Sequence, residues 1–90
     1  MDLKEAYQEL EACAQQLGLE VRREKGDFEG GLCRVDSERY IIINERKPLA
    51  NQVRVLAEAL AALELDDVYL KPAVRELLER AKETGVESNV

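Results

Sequence analysis

Leu3, Tyr7, Leu10, Ala14 and Leu17 recur at spacings of three and four, and Ala6 and Cys13 widen the stripe. Residues at those spacings share one face of an α-helix, so the pattern is that of an amphipathic helix. Asp2 offers a side-chain oxygen to the first turn and Gly18 stands where a left-handed residue ends a helix, which predicts a first helix over residues 3–17. Past Gly18 the period becomes two: Leu19, Val21 and Arg23 alternate with Glu20, Arg22 and Glu24, as in a half-exposed strand. Residues 26–31 hold three of the five glycines and read as a hairpin loop or bulged turn, because glycine enters positive φ without steric cost. A second strand over 32–35, a turn at 36–38 and a third strand over 39–44 complete the sheet. The run Ile41, Ile42, Ile43 is β-branched throughout and suits a strand covered on both faces or placed mid-sheet.

Pro48 fixes φ and lacks a donor, so a second helix is expected to begin at or after it and to run over 49–63. Val53, Val55, Leu56, Ala57, Ala59, Leu60, Ala61, Ala62 and Leu63 cover nearly its whole circumference, with Arg54 and Glu58 as an i,i+4 pair on the polar stripe. A helix apolar nearly all round is buried or sits in an interface. A turn of helix is expected near residues 66–69. Pro72 then opens a third helix that turns Val74, Leu77, Leu78 and Ala81 inward and stops at Gly85. The expected architecture is one α+β domain over residues 1–85, in the order α-β-β-β-α-α, with a three-stranded antiparallel meander packed against helices. Residues 86–90 are expected to form a frayed tail.

Composition narrows the chemistry. The chain of 90 residues is 46% hydrophobic and 36% charged, which describes a patterned globular domain. Aromatic residues are 4%, so the core must be built from aliphatic side chains, and a platform for stacking bases is not expected. The net charge of −6 repels phosphate backbones, and the basic run Arg22, Arg23, Lys25 is interleaved with Glu20, Glu24, Asp27 and Glu29. Nucleic acid is therefore not an expected partner. Neither is a membrane, since no run approaches the roughly 18 apolar residues needed for a span. The charged amino terminus lacks a signal-peptide pattern, and a cytoplasmic location is expected. The chain has no histidine, which removes Ser-His-Asp and Cys-His machinery and histidine-rich zinc sites. Cys13 and Cys33 read as buried reduced thiols acting as small hydrophobes rather than as a disulfide or a metal knuckle. Gly30-Gly31 leads into a strand and so does not match a phosphate loop, which needs a following helix. Asp27 with Glu29 and Asp66 with Asp67 are local carboxylate pairs that read as solvated surface charge, and no cofactor or metal is expected.

The segments Leu17-Gly18-Leu19-Glu20-Val21, Tyr40-Ile41-Ile42-Ile43-Asn44 and Val53-Arg54-Val55-Leu56-Ala57-Glu58-Ala59-Leu60-Ala61, in that order around a glycine-rich hairpin, resemble the core of the ImmA/IrrE-type zinc metallopeptidases. In that family a strand ending in Ile-Asn precedes a helix carrying His-Glu-x-x-His. Aligning the family's glutamate with Glu58 puts Ala57 and Ala61 where the zinc-binding histidines would stand, so only Asn44 and Glu58 carry over. The resemblance thus implies a metal-free relative without the hydrolytic chemistry. The chain is also similar to small uncharacterised bacterial proteins with a Gly-Gly hairpin, an Ile-Asn strand and a Leu-Ala-Glu helix, a likeness that implies a shared fold and supplies no activity.

The functional expectation is a non-catalytic interaction or regulatory module that acts as a homodimer or with a protein partner. It rests on absent catalytic groups and on the surplus apolar surface of the second helix. Two alternatives stand beside it. One is a small-molecule-binding or enzymatic domain using Arg34, Arg39, Asn44, Glu58 or Tyr69 around a pocket between sheet and helices; it predicts a concave site where several of these converge and Glu58 is not paired with Arg54. The other is a catalytically dead metallopeptidase-like scaffold that binds peptide, which requires an open groove along an exposed sheet edge.

Overall fold

A computed structural model describes residues 1–65 and 68–88 of the chain, with side chains through residue 83. The elements follow in the order α1 (Leu3–Gln16), β1 (Glu20–Glu24), β2 (Gly31–Val35), β3 (Glu38–Asn44), α2 (Leu49–Ala61) and α3 (Pro72–Ser88). Three helices and a three-stranded sheet make an α+β fold. The expected Asp66/Asp67 pair and the last two residues of the expected tail lie outside the described residues.

α1 begins where Asp2 Oδ1 accepts the Glu5 N–H at 2.8 Å. It ends in a Schellman motif: Gly18 adopts φ +75° and donates to the Gln15 carbonyl, while Leu19 donates to that of Ala14, both at 3.0 Å. Its apolar stripe, Ala6, Tyr7, Leu10, Cys13 and Ala14, is buried.

The sheet is mixed, not the antiparallel meander that local alternation predicts. Its order is β1-β3-β2, with β3 parallel to β1 and antiparallel to β2. The most apolar strand takes the centre, where both of its edges find hydrogen-bonding partners. Consequently β1 cannot turn directly into β2 beside it. Residues 25–30 instead cross the end of β3 to reach its far side, and the glycines serve that crossing rather than a hairpin between neighbours. Gly30, at φ +89°, passes so close to β3 that a Cβ built on it would stand 2.6 Å from the Ile42 carbonyl oxygen. The true hairpin joins β2 to β3, with Asp36 at φ +56° in the left-handed region that Asp tolerates in tight turns.

Ile41 and Ile43 are fully buried beneath the helical layer. Ile42 points the other way and is only half-buried, because α1 packs on β1 and α2 on β2 and β3 while α3 packs on the two helices. The isoleucine run therefore marks a central strand rather than one sandwiched between layers.

α2 lies at the centre of the helical layer, with α1 and α3 against it and the sheet beneath. Val53, Val55, Leu56, Ala57, Ala59 and Leu60 are all buried there. Its nearly complete apolar circumference is thus largely covered within the chain, which removes the reason α2 gave for self-association. α3 starts at Pro72, with the Arg75 N–H bonded to the Lys71 carbonyl at 2.9 Å. It buries Val74, Leu78 and Ala81 and continues through Gly85 to Ser88, beyond the expected stop. No described helix is long and apolar enough to cross a membrane.

Candidate interaction site

Asn44 ends β3 and is 2% exposed, the one buried polar side chain of the described core. Its Nδ2 donates to the carbonyls of Gly26 at 3.0 Å and Phe28 at 2.6 Å, and its Oδ1 accepts the Arg46 N–H at 3.0 Å. Both amide protons and the oxygen are thereby engaged. Asn44 clasps the crossing loop onto the sheet, which is a structural task, and it has no amide proton left for a ligand.

Glu58 lies on the α2 face that borders β2. Arg54 Nη1 donates to both its carboxylate oxygens, at 3.1 and 3.2 Å. The pairing that the competing pocket reading excludes is therefore present. The two side chains are 46% and 31% exposed, so the pair is solvent-screened and worth a few tenths of a kcal/mol. Glu58→Gln is accordingly expected to change the urea midpoint by the equivalent of less than about 0.5 kcal/mol. A shift several times larger would mean that the carboxylate has a further partner.

Arg34 sits on β2 directly opposite Arg39 of β3. Tyr69, between α2 and α3, is 78% exposed and borders a depression with Glu9, Ala12 and Gln16 of α1. Arg34, Asn44, Glu58 and Tyr69 thus do not converge on one concave site. Ala57 and Ala61, at the positions the peptidase resemblance assigns to histidines, are buried and half-buried apolar residues of α2.

The sheet does bring together a set that sequence reasoning missed. Gly30, Gly31 and Leu32 face Arg54, Val55, Glu58, Ala59 and Ala62 across a groove of about 400 Å³. On the α2 side it is lined by the small apolar residues Ala59 and Ala62 and by the Arg54–Glu58 pair. β2 forms one bank and is an edge strand, hydrogen-bonded to β3 alone, so its outer backbone groups face away from the sheet. Leu32 is 36% and Val35 52% exposed along it. The signal for this groove was present in the small residues of α2, yet only the spatial strand order identifies the strand beside them.

A second cluster also escaped the sequence. Arg23 shares the inward face of β1 with Val21, and α1 accommodates it: Nε donates to the Tyr7 hydroxyl and Nη2 to Glu11 Oε2, both at 3.0 Å, with the guanidinium 5.0 Å from the Tyr7 ring centre. Burial pushes the Tyr7 phenol upward in pKa, partly offset by the bond from Arg23, and burial alone pushes up the Cys13 thiol. Both groups stay neutral longer in the folded chain than in the unfolded one. Their neutral forms therefore support folding fully at neutral pH, and this support is lost as pH rises above about 8.5 for the thiol and about 10 for the phenol. Urea midpoints are expected to be flat near neutrality and to fall above about pH 9. Rising midpoints in that range would contradict the burial of both groups.

Compared with known proteins, the chain matches no family model, no curated protein and no solved structure.

Proposed function

We propose that the protein is a non-catalytic interaction module that receives an extended segment, from a second copy or from another protein, along the outer edge of β2. The observation that carries this reading is the free β2 edge beside the groove shared with α2, with Leu32 and Val35 exposed along the strand. A free edge offers unpaired backbone donors and acceptors in register, and side chains of an added strand alternate between the groove and the opposite face. Backbone pairing supplies affinity and the groove supplies selectivity.

The small-molecule reading loses support because both Asn44 amide protons are engaged and Glu58 is paired. The dead-peptidase reading shares the same docking geometry, and the groove favours it as the second reading. It differs in ancestry rather than in what would be bound.

The test is the solution mass of the wild type and of the Leu32→Asp and Val35→Lys variants across a dilution series, by light scattering after size exclusion. A wild-type mass near twice 10.2 kDa that falls to 10.2 kDa in both variants supports self-docking through β2. A wild-type monomer directs the search to another protein. A dimer that survives both substitutions would place the contact elsewhere and overturn the role of β2.

A further inference from the structure

Arg34 and Arg39 are Cα partners across β2 and β3, so their side chains leave the same face of the sheet. Like charges directly opposite each other destabilise a strand pair. Among the described residues neither guanidinium has an ion-pair or hydrogen-bonding partner, although the chain carries a net charge of −6 and 19 carboxylate side chains to draw on. Some cations draw on that surplus, Arg22 with Glu20, Arg23 with Glu11, Lys47 with Glu29 and Lys71 with Glu9, and others such as Lys25 and Arg46 do not; what sets Arg34 and Arg39 apart is that they stand directly opposite each other in the ladder. A charge on an edge strand discourages strand-to-strand aggregation, which accounts for Arg34. It does not account for Arg39, which is on the central strand.

The position of the pair gives it a use. Leu32 is the last residue of β2 that lines the groove, and Arg34 is the next residue of β2 on the same face. The arginine pair therefore follows Leu32 along β2, where an added strand would continue. Self-pairing of β2 would bring two such pairs, four positive charges, to one interface. A carboxylate delivered by another chain would instead relieve the repulsion and form charge-assisted hydrogen bonds.

We infer that the partner docked on β2 is an extended segment of another protein that carries an apolar residue and, two positions away, an acidic residue. The apolar side chain enters the groove over Ala59 and Ala62. The acidic one is held by Arg34 and Arg39. This rests on the β2 docking reading and adds to it the chemistry of the occupant.

A phage-displayed library of random linear heptapeptides, selected on the purified protein at about 0.15 M salt, tests both layers separately. The expected result is enrichment of sequences with an apolar and an acidic residue two positions apart. The field of a protein at −6 works against acidic peptides, so such enrichment has to come from a local cationic site. A synthetic peptide from the enriched set should bind about tenfold or more weakly to Arg34→Glu and to Arg39→Glu. Each variant replaces a like-charged pair by an opposite one, so each should also melt about 2 to 5 °C higher than the wild type, which separates lost binding from lost folding. Peptides that lose binding with Leu32→Asp but keep it with both arginine variants would overturn the acidic requirement and leave the β2 reading standing. Selection of nothing above background, or of peptides indifferent to Leu32→Asp, would overturn both.

Discussion

Asn44→Asp is expected to destabilise the fold by about 3 to 5 kcal/mol at neutral pH, as expected when a buried charge has no compensating partner. The two groups that Asn44 now serves through its Nδ2, the carbonyls of Gly26 and Phe28, are acceptors. A carboxylate there would face two carbonyl oxygens with no proton to share. The substituted carboxyl should therefore have a folded pKa raised above its unfolded value. By linkage, the penalty is full above that raised value and shrinks as pH falls through it, because the neutral acid can again donate one proton. Asn44→Ala removes the donor without adding charge, and about 2 to 3 kcal/mol is expected from the two carbonyls left without it. Urea denaturation at neutral and acid pH measures both. Equal losses for Asp and Ala, or no recovery of the Asp variant in acid, would show that the loop is not clasped as described.

Ile43→Ala should cost about 2 to 5 kcal/mol, the range for truncating a fully buried aliphatic side chain and leaving a cavity. Ile43 has no exposed surface and lies on the helix-covered face of the central strand. A chain of this size has a total stability on the order of 5 to 13 kcal/mol, so this single change removes a large fraction of it. Ile42→Ala provides the internal comparison. Ile42 is half-buried on the face without a helix, and its loss should be smaller than that at Ile43. Equal losses at 42 and 43 would contradict a sheet covered on one side only.

These contrasts show what the residues alone could and could not reveal. The Leu3 to Leu17 stripe and the Gly18 stop specified α1 to within a residue, because helix period and capping are local properties. The strands were legible for the same reason. Their spatial order was not, since alternation records which face a side chain takes and says nothing of which strand lies beside it. Gly30-Gly31 invited a hairpin, and only the need to pass the end of β3 explains glycine against the Ile42 carbonyl. The site divided along the same line. The Arg54–Glu58 pair was legible from its spacing of four. Asn44 stood out in the sequence, but its hydrogen bonds to the crossing loop did not, because an asparagine looks alike in sequence whether it awaits a ligand or clasps a loop. The Arg34–Arg39 pairing depends on the register of the β2–β3 hairpin, which the turn at Asp36 sets.

Whether β2 is a free edge on which another strand docks can be read from residue-resolved amide hydrogen exchange in dilute protein and again with a selected heptapeptide added. Slow exchange is expected throughout β3, with fast exchange at the outward-facing amides of β2 in the dilute protein and protection of those amides once the peptide is present. Protection of the β2 edge already in the dilute monomer, or peptide-induced protection confined to α3 or to the helix-free face of the sheet, would contradict it.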